Sequence, residues 1–149
     1  MYLAHSFTID DEKQTCHQPL ILVVEDRDDS LLVISYALEA IGCRFICQKD
    51  CTATVLVAKE YQPDLILLDI LLPGMSGIDV ARHLKQETLT RTIPVVAVTA
   101  LATPEAREEI LEAGFDDYIS KPYMLEDLEA MISRLLKGKF DLQSAFELC

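Results

Sequence analysis

Short apolar runs alternate with amphipathic segments along most of this chain, and this alternation constrains the fold more than any other feature. Leu20–Val24 is apolar throughout, as is typical of a strand buried on both faces of a parallel sheet. Asp28, Asp29 and Ser30 then offer N-caps for a helix that Gly42 ends. The apolar stripe of this helix consists of Leu31, Ile34, Leu38 and Ile41.

The same cycle occurs four more times. Further strands are predicted at 44–47, 65–68, 94–98 and 118–120. Further helices are predicted over 52–61 and 77–86, from 104 to the stop at Gly114, and from 125 to the stop at Gly138. Five strand–helix units predict an α/β fold, a doubly wound parallel sheet with helices on both faces.

Charge narrows the range of partners. The 149-residue chain has a formal net charge of −12. Such an acidic chain does not suit the phosphate backbone of nucleic acid or an anionic membrane surface. Its apolar runs are also far too short to span a bilayer. We therefore expect no direct DNA binding and no membrane attachment.

Five cysteines, an odd number without a dense framework, indicate a chain kept in the reducing cytoplasm. Cys43, Cys47 and Cys51 are evenly spaced, which is also compatible with a metal site. No histidine lies nearby in the sequence to complete such a site, and Cys43 and Cys47 share one face of a predicted strand. We interpret these cysteines as small hydrophobic residues.

Polar side chains follow four of the five predicted strands: Glu25 and Asp26, Asp69, Thr99, and Lys121. Because ligand sites of doubly wound sheets lie beyond the carboxyl ends of the strands, we expect these side chains to meet. Taken singly, each also fits a structural role, such as a helix cap, a turn residue or a solvated lysine.

The combined charge of this group indicates its chemistry. Three carboxylates and one ammonium group sum to −2, and such crowding is unfavourable unless a cation neutralises it. Oxygen ligands with a small charge favour Mg²⁺, which binds phosphate oxygens. With the metal, Lys121 and Thr99 would neutralise and hydrogen-bond a phosphoryl group, and an aspartate can accept one as an acyl phosphate. The sequence therefore predicts a phosphoryl-transfer site.

Four motifs carry a resemblance to a known family: Val23-Val-Glu-Asp26, Leu67-Leu-Asp-Ile-Leu-Leu-Pro-Gly-Met-Ser-Gly77, Val98-Thr-Ala100 and Lys121-Pro122. In this order and at this spacing they resemble the receiver domain of two-component response regulators. The resemblance implies the flavodoxin-like strand order 2-1-3-4-5 and a stand-alone receiver domain over 20–137. We expect residues 1–19 to form an N-terminal arm and 138–149 a short tail without an output domain.

The resemblance implies roles for the carboxylates. Asp69 is expected to be the phosphoacceptor. Glu25 and Asp26 form the acidic pair, and Asp26 and Asp69 are expected to hold Mg²⁺ with the backbone carbonyl of Leu71. Many members have two aspartates where this chain has Glu25-Asp26. The longer Glu25 is expected to contact the metal through water.

The resemblance also implies a switch. Thr99 is expected to be the hydroxyl that moves to the phosphoryl group, and Lys121 the cation that pairs with it. Tyr118 matches the switch aromatic of the family, although a tyrosine at the edge of the core would look the same in the sequence. The Lys121–Pro122 peptide bond is expected to be cis.

The implied function is that of a signalling switch, not an enzyme, although a receiver assists its own phosphorylation and dephosphorylation. A phosphohistidine of a sensor histidine kinase or phosphotransfer protein is the expected donor. The added charge is expected to alter the face formed by the fourth helix, fifth strand and fifth helix, and so the binding of a downstream protein.

Three other readings are weaker. A phosphatase of the haloacid dehalogenase type needs a second acid two residues after the nucleophile, where this chain has Leu71. A flavin- or nucleotide-binding domain of similar topology needs a glycine-rich loop after the first strand, where this chain is acidic. Only the intact pocket argues against a phosphorylation-independent adaptor.

Apolar residues at two further places bear on regulation. In the tail, a helix would align Phe140, Leu142, Ala145, Phe146 and Cys149. Such a stripe either folds back on its own domain or pairs with a second copy beside the last helix, which would give a homodimer. Leu71 and Leu101 are expected to flank the mouth of the pocket and to prolong the life of the acyl phosphate.

Overall fold

The computed structural model describes residues 18–72, 75–100 and 103–136, together with the backbone of residues 2–3. These residues form one sheet with helices on both sides. The strands are β1 (Tyr2–Leu3), β2 (Leu20–Val24), β3 (Arg44–Gln48), β4 (Leu65–Asp69), β5 (Val95–Thr99) and β6 (Asp117–Ser120). The helices are α1 (Asp28–Ala40), α2 (Thr54–Tyr61), α3 (Gly77–Gln86), α4 (Pro104–Glu112) and α5 (Leu125–Leu135).

The five strands β2 to β6 are parallel and lie in the order β3-β2-β4-β5-β6, which confirms the predicted doubly wound sheet. The sequence did not predict β1, which pairs antiparallel with β3 and places Tyr2 opposite Cys47. A two-residue strand is too short to show a periodic pattern, and it pairs through backbone groups that almost every residue carries. This edge strand therefore left no signal in the sequence.

Each face of the sheet has its own hydrophobic layer. Leu22 and Val24 of β2 belong to the layer beneath α2, α3 and α4. Ile21 and Val23 belong to the layer beneath α1 and α5. Because both faces of β2 are buried, every residue of this strand is apolar, as the parallel-sheet interpretation required.

The helix starts agree with the sequence at some positions and differ at others. Helix α4 begins as predicted: the Thr103 side chain accepts a hydrogen bond from the Ala106 N–H at 3.1 Å, and proline takes the first position. The predicted caps of α1 are wrong, because Arg27 is the N-cap residue and Asp28 and Asp29 lie in the first turn. Carboxylates in a first turn still stabilise a helix through its dipole, which explains why they favoured the cap interpretation.

The predicted helix over 52–61 also starts differently. A 3₁₀ turn over Cys51–Ala53 comes first, and the side chain of Asp50 caps this turn by accepting a hydrogen bond from the Thr52 N–H. The α-helical part begins at Thr54. Sequence spacing alone does not separate a 3₁₀ turn from the first turn of an α-helix, since both are short and share their capping residues.

The three central cysteines are buried in the core and form no disulfide bond. Cys43 and Cys47 lie in the layer beneath α1 and α5, whereas Cys51 lies in the opposite layer. Burial raises the pKa of the Cys43 thiol to about 12, so it stays protonated and unreactive at neutral pH. These positions agree with the interpretation as small hydrophobic residues.

Within the described part of the chain, no helix is both long enough and apolar enough to cross a membrane. The expected apolar stripe of the tail, over 140–149, lies outside the described residues. Leu101 lies outside them as well.

Candidate functional site

Three carboxylates meet at the carboxyl edge of the sheet, as predicted. Glu25 and Asp26 directly follow β2, and Asp69 is the last residue of the neighbouring strand β4. One oxygen from each of the three lies within 4.8 Å of the others. Among the described residues, this is the one cluster of histidine, cysteine or acidic side chains close enough to hold a metal ion.

Lys121 brings a positive charge to two of these carboxylates. Its Nζ lies 2.9 Å from Glu25 Oε1 and 3.2 Å from Asp69 Oδ2. The exposed fraction is only 6% for the Glu25 side chain and 7% for that of Asp69, against 24% for Lys121. The Lys121 N–H also donates to the carbonyl of Thr99 at 2.8 Å, which joins the end of β6 to that of β5. The Lys121–Pro122 peptide bond is cis, as expected.

Burial and charge have opposite effects on the pKa values of Glu25 and Lys121. Burial raises the pKa of Glu25 above its ordinary value, even though the hydrogen bond from Lys121 opposes this. Burial alone would lower the pKa of Lys121, but the hydrogen bond to Glu25 and the charge of Asp69 raise it instead. Lys121 is therefore a permanent cation that two buried carboxylates share.

The loop after β4 orients Asp69 from the other side. The Leu71 N–H donates to Asp69 Oδ1 at 3.0 Å. A Cβ atom on Gly77 would lie 2.4 Å from the carbonyl oxygen of Asp69, so the first turn of α3 packs directly on the Asp69 backbone. The sequence identified Gly77 only as a helix start. A glycine at the first position of a helix was the available signal, since glycine is a poor helix former.

Thr99 and Tyr118 lie in the two neighbouring strands β5 and β6. Thr99 is fully buried at the end of β5, opposite Ser120. Tyr118 lies two residues before Ser120, and so on the same face of the sheet, half-buried against the layer beneath α4. The guanidinium carbon of Arg107, in α4, lies 5.3 Å from the centroid of the Tyr118 ring. The sequence did not predict this contact.

A cavity of about 460 Å³ adjoins the carboxylates. Glu25, Asp69 and Lys121 lie on its polar side with Asp29 and Ser30, and Val33 and Tyr123 contribute to its apolar walls. Burial raises the pKa of Tyr123, and the positive charge of Lys121 only partly offsets this effect. Apolar walls with a charged end are typical of a ligand site.

The expected position of Leu71 at the mouth of this cavity stays a prediction, since Leu71 is not among the residues that line the cavity. Its side chain, 58% exposed, lines a separate cavity of about 400 Å³ together with Ala106 and Ile110. Successive residues of an irregular loop have no fixed side-chain alternation, so the spacing of two residues from Asp69 did not determine the direction of this side chain.

Known proteins are similar to this chain in sequence and fold. The family model for the response regulator receiver domain matches residues 21–133. The chain is 44% identical over 117 residues to the phosphate regulon transcriptional regulatory protein PhoB of Escherichia coli K12, which covers 78% of this chain and 51% of PhoB. It is 39% identical over 102 residues to the polar-differentiation response regulator DivK of Brucella anthropi, covering 68% of this chain and 83% of DivK. The chain thus spans about half the length of PhoB.

Solved structures of receiver domains have a similar fold. The receiver domain of the sensor histidine kinase PA1611 from Pseudomonas aeruginosa, solved with a magnesium ion in its active site cleft, has a TM-score of 0.77 at 31% identity. That match covers 82% of this chain and 100% of the other. The BeF3-activated receiver domain of DrrB has a TM-score of 0.72 at 28% identity, covering 81% and 99%. This chain belongs to the response regulator receiver domain family.

Proposed function

We propose that Asp69 accepts a phosphoryl group from a phosphohistidine of a sensor histidine kinase or phosphotransfer protein. The observation that carries this proposal is the meeting of Asp69 with two further carboxylates and with Lys121, whose Nζ lies 3.2 Å from Asp69. Membership of the receiver family supports the same assignment. The described receiver fold, within the expected domain over 20–137, contains all of these residues.

The donor set fits magnesium. Glu25, Asp26 and Asp69 offer oxygen atoms only, and their summed negative charge exceeds that of the single lysine beside them. Asp26 and Asp69 would hold the ion directly, with the Leu71 carbonyl as a further ligand. The Leu71 N–H bond to Asp69 supports this, since it keeps the Leu71 backbone next to that carboxylate. When bound, Mg²⁺ would neutralise charge on the phosphoryl oxygens.

The residues of the chain perform the transfer as follows. A carboxylate oxygen of Asp69 forms a bond to phosphorus as the phosphorus–nitrogen bond of the phosphohistidine breaks, and the electron pair of that bond returns to the imidazole nitrogen. The ammonium group of Lys121 exchanges its contact with Asp69 for one with a phosphoryl oxygen. The Thr99 hydroxyl donates a hydrogen bond to another. The chain is a switch, since the phosphoryl group remains on it until water removes it.

The output surface is the face formed by α4, β6 and α5. Leu111, Met124 and Leu125 are exposed in or beside these elements, with exposed fractions of 56%, 63% and 40%. Tyr118 joins this face to the layer beneath α4. A downstream protein or a second copy of the chain binds there when Asp69 is phosphorylated. Light scattering at several concentrations, with and without a phosphodonor, tests whether the partner is a second copy.

The proposed location is the cytoplasm. Cys43, Cys47 and Cys51 are buried thiols without a disulfide bond, which is compatible with a reducing compartment. The chain acts in the cytoplasm, where sensor kinases present their phosphohistidine. Cell fractionation of the tagged chain tests this assignment.

The deciding experiment is phosphorylation of the full chain by a small acyl phosphate donor with Mg²⁺, followed by intact-mass measurement. The wild type should gain one phosphoryl group that hydroxylamine removes, as expected for an acyl phosphate. Asp69→Asn should gain none. Asp79→Asn, an exposed aspartate paired with Arg82 on α3, is the matched control and should behave like the wild type.

Other results would support other functions. Continuous release of inorganic phosphate from many phosphate esters would indicate a phosphatase. A chain that stays unmodified with small donors and with a panel of kinases would be an adaptor that needs no phosphorylation. Labelling that persists in Asp69→Asn would place the acceptor on another residue.

A further inference from the structure

The side chain of Arg107 contacts an aromatic ring. Its guanidinium carbon lies 5.3 Å from the centroid of Tyr118, within the range of about 6 Å in which a cation is attracted to a ring face. Arg107 is the one cationic residue of α4, whose sequence is PEAREEILE. Because no glutamate lies three or four residues away from it on the helix, its own helix offers it no well-placed carboxylate.

The contact is present in the unmodified form of the chain. In this structure Lys121 pairs with both Glu25 and Asp69, an arrangement that a phosphoryl group on Asp69 would displace. Tyr118 is half-buried, with one side against the hydrophobic layer and the other beneath Arg107. Its strand neighbour Ala97 lies two residues before Thr99. The ring therefore lies on the face of the sheet that a shift of Thr99 would alter.

We infer that Arg107 is a positioning residue, which holds the Tyr118 ring in its unmodified position and thereby opposes the switch. This inference rests on the proposed function. Any contact made in only one of two states shifts the equilibrium toward that state. An exposed cation–ring contact of this kind corresponds to roughly a two- to five-fold change in an equilibrium constant. By linkage, its removal should strengthen binding of a phosphoryl group or its mimic by up to the same factor.

The test uses the full chain labelled with 3-fluorotyrosine and measured by fluorine NMR. The chain has five tyrosines, so Tyr118→Phe identifies the resonance of position 118. In wild type, this resonance should move when Mg²⁺ and fluoroberyllate, a phosphoryl mimic, are added. Without ligand, Arg107→Gln should move it part of the way toward the ligand-bound position. Arg107→Lys should stay close to wild type, because it keeps the cation.

The affinity for the mimic gives a second readout. Arg107→Gln should bind Mg²⁺–fluoroberyllate roughly two- to five-fold more tightly than wild type. In a Tyr118→Leu background, the same substitution should have no effect, which distinguishes action through the ring from a general effect on α4. Arg82→Gln is the matched control, since it removes an exposed arginine of α3 that pairs with Asp79.

Three results would overturn the inference: an unmoved resonance in Arg107→Gln, an equal shift in Arg82→Gln, or a gain in affinity that persists without the Tyr118 ring. A wild-type chain that binds no mimic and accepts no phosphoryl group would instead refute the proposed function, and the coupling with it. If the wild type responds to the mimic and Arg107→Gln responds identically, only the role of Arg107 is refuted.

Discussion

Replacing Lys121 with methionine tests whether this lysine stabilises the carboxylate cluster in the unmodified chain. Methionine keeps an unbranched side chain of similar length and removes the charge. Glu25 and Asp69 would then lose the ammonium group that now lies 2.9 and 3.2 Å from their oxygens. Both carboxylates are almost fully buried, so water replaces this partner only in part.

The size of the effect follows from burial. Removing one partner of a fully buried ion pair costs about 3–5 kcal/mol, because an unpaired charge stays behind. Lys121 is 24% exposed, so solvent screens part of the interaction. We expect the free energy of unfolding to fall by about 2–3 kcal/mol at neutral pH without Mg²⁺. For a domain of this size, that corresponds to a fall in melting temperature of roughly 4–12 °C.

Acidification and Mg²⁺ should both reduce this loss. Burial already raises the pKa of Glu25, and removing Lys121 takes away contributions that lower it. A carboxyl group whose pKa is higher in the folded than in the unfolded chain destabilises the fold above that pKa and ceases to do so as the pH falls through it. The gap between variant and wild type should therefore narrow on acidification. Mg²⁺ should stabilise the variant more than the wild type, because in the variant no ammonium group competes with the ion for the carboxylates.

Urea denaturation at neutral and mildly acidic pH, each with and without Mg²⁺, measures the free energy of unfolding under all four conditions. Lys59→Met is the matched control, since Lys59 pairs with Glu87 at 3.0 Å and the two side chains are 33% and 39% exposed. It should cost less than about 1 kcal/mol and respond to neither pH nor Mg²⁺ in this way. The reasoning is wrong if Lys121→Met costs no more than Lys59→Met, or if its loss persists unchanged at low pH and with metal.

Three further substitutions test the site. Asp26→Asn should leave the free energy of unfolding without Mg²⁺ equal or higher, because it removes one of the crowded negative charges, and it should weaken the stabilisation by Mg²⁺. A marked loss of stability in metal-free thermal melts would contradict this. Gly77→Ala should lower the free energy of unfolding by about 1–3 kcal/mol and slow phosphorylation, since its Cβ would lie 2.4 Å from the Asp69 carbonyl oxygen. Unchanged stability in urea denaturation would mean that the loop adjusts without cost. Leu71→Asn should shorten the life of the acyl phosphate several-fold in decay measurements, because an amide can orient water where leucine offers no polar group. An unchanged decay rate would show that this exposed side chain stays away from the phosphoryl group.

The sequence predicted the site edge well because two simple rules combine there. Apolar runs end where the strands end, and parallel strands place those ends at one edge of the sheet. Glu25, Asp69 and Lys121 were therefore assigned to one place although Lys121 is 96 residues from Glu25 in the chain. Helix α3 was predicted with both of its ends. The structure adds its cap, Ser76, whose side chain accepts a hydrogen bond from the Ile78 N–H at 3.1 Å.

Individual side-chain partners were less predictable, because periodicity determines the face on which a residue lies and not the atom it contacts. Glu25 illustrates the limit. The family resemblance implied contact with the metal through water, which stays a prediction. The structure shows two partners that the sequence did not reveal: Lys121 at Oε1 and the N–H of Arg27 at Oε2. Lys121 Nζ lies 2.9 Å from Glu25 Oε1 and 3.2 Å from Asp69 Oδ2, so Glu25 helps to hold the lysine beside Asp69. In the proposed transfer, Glu25 would keep Lys121 close to the phosphoryl group even after Asp69 itself has released that contact.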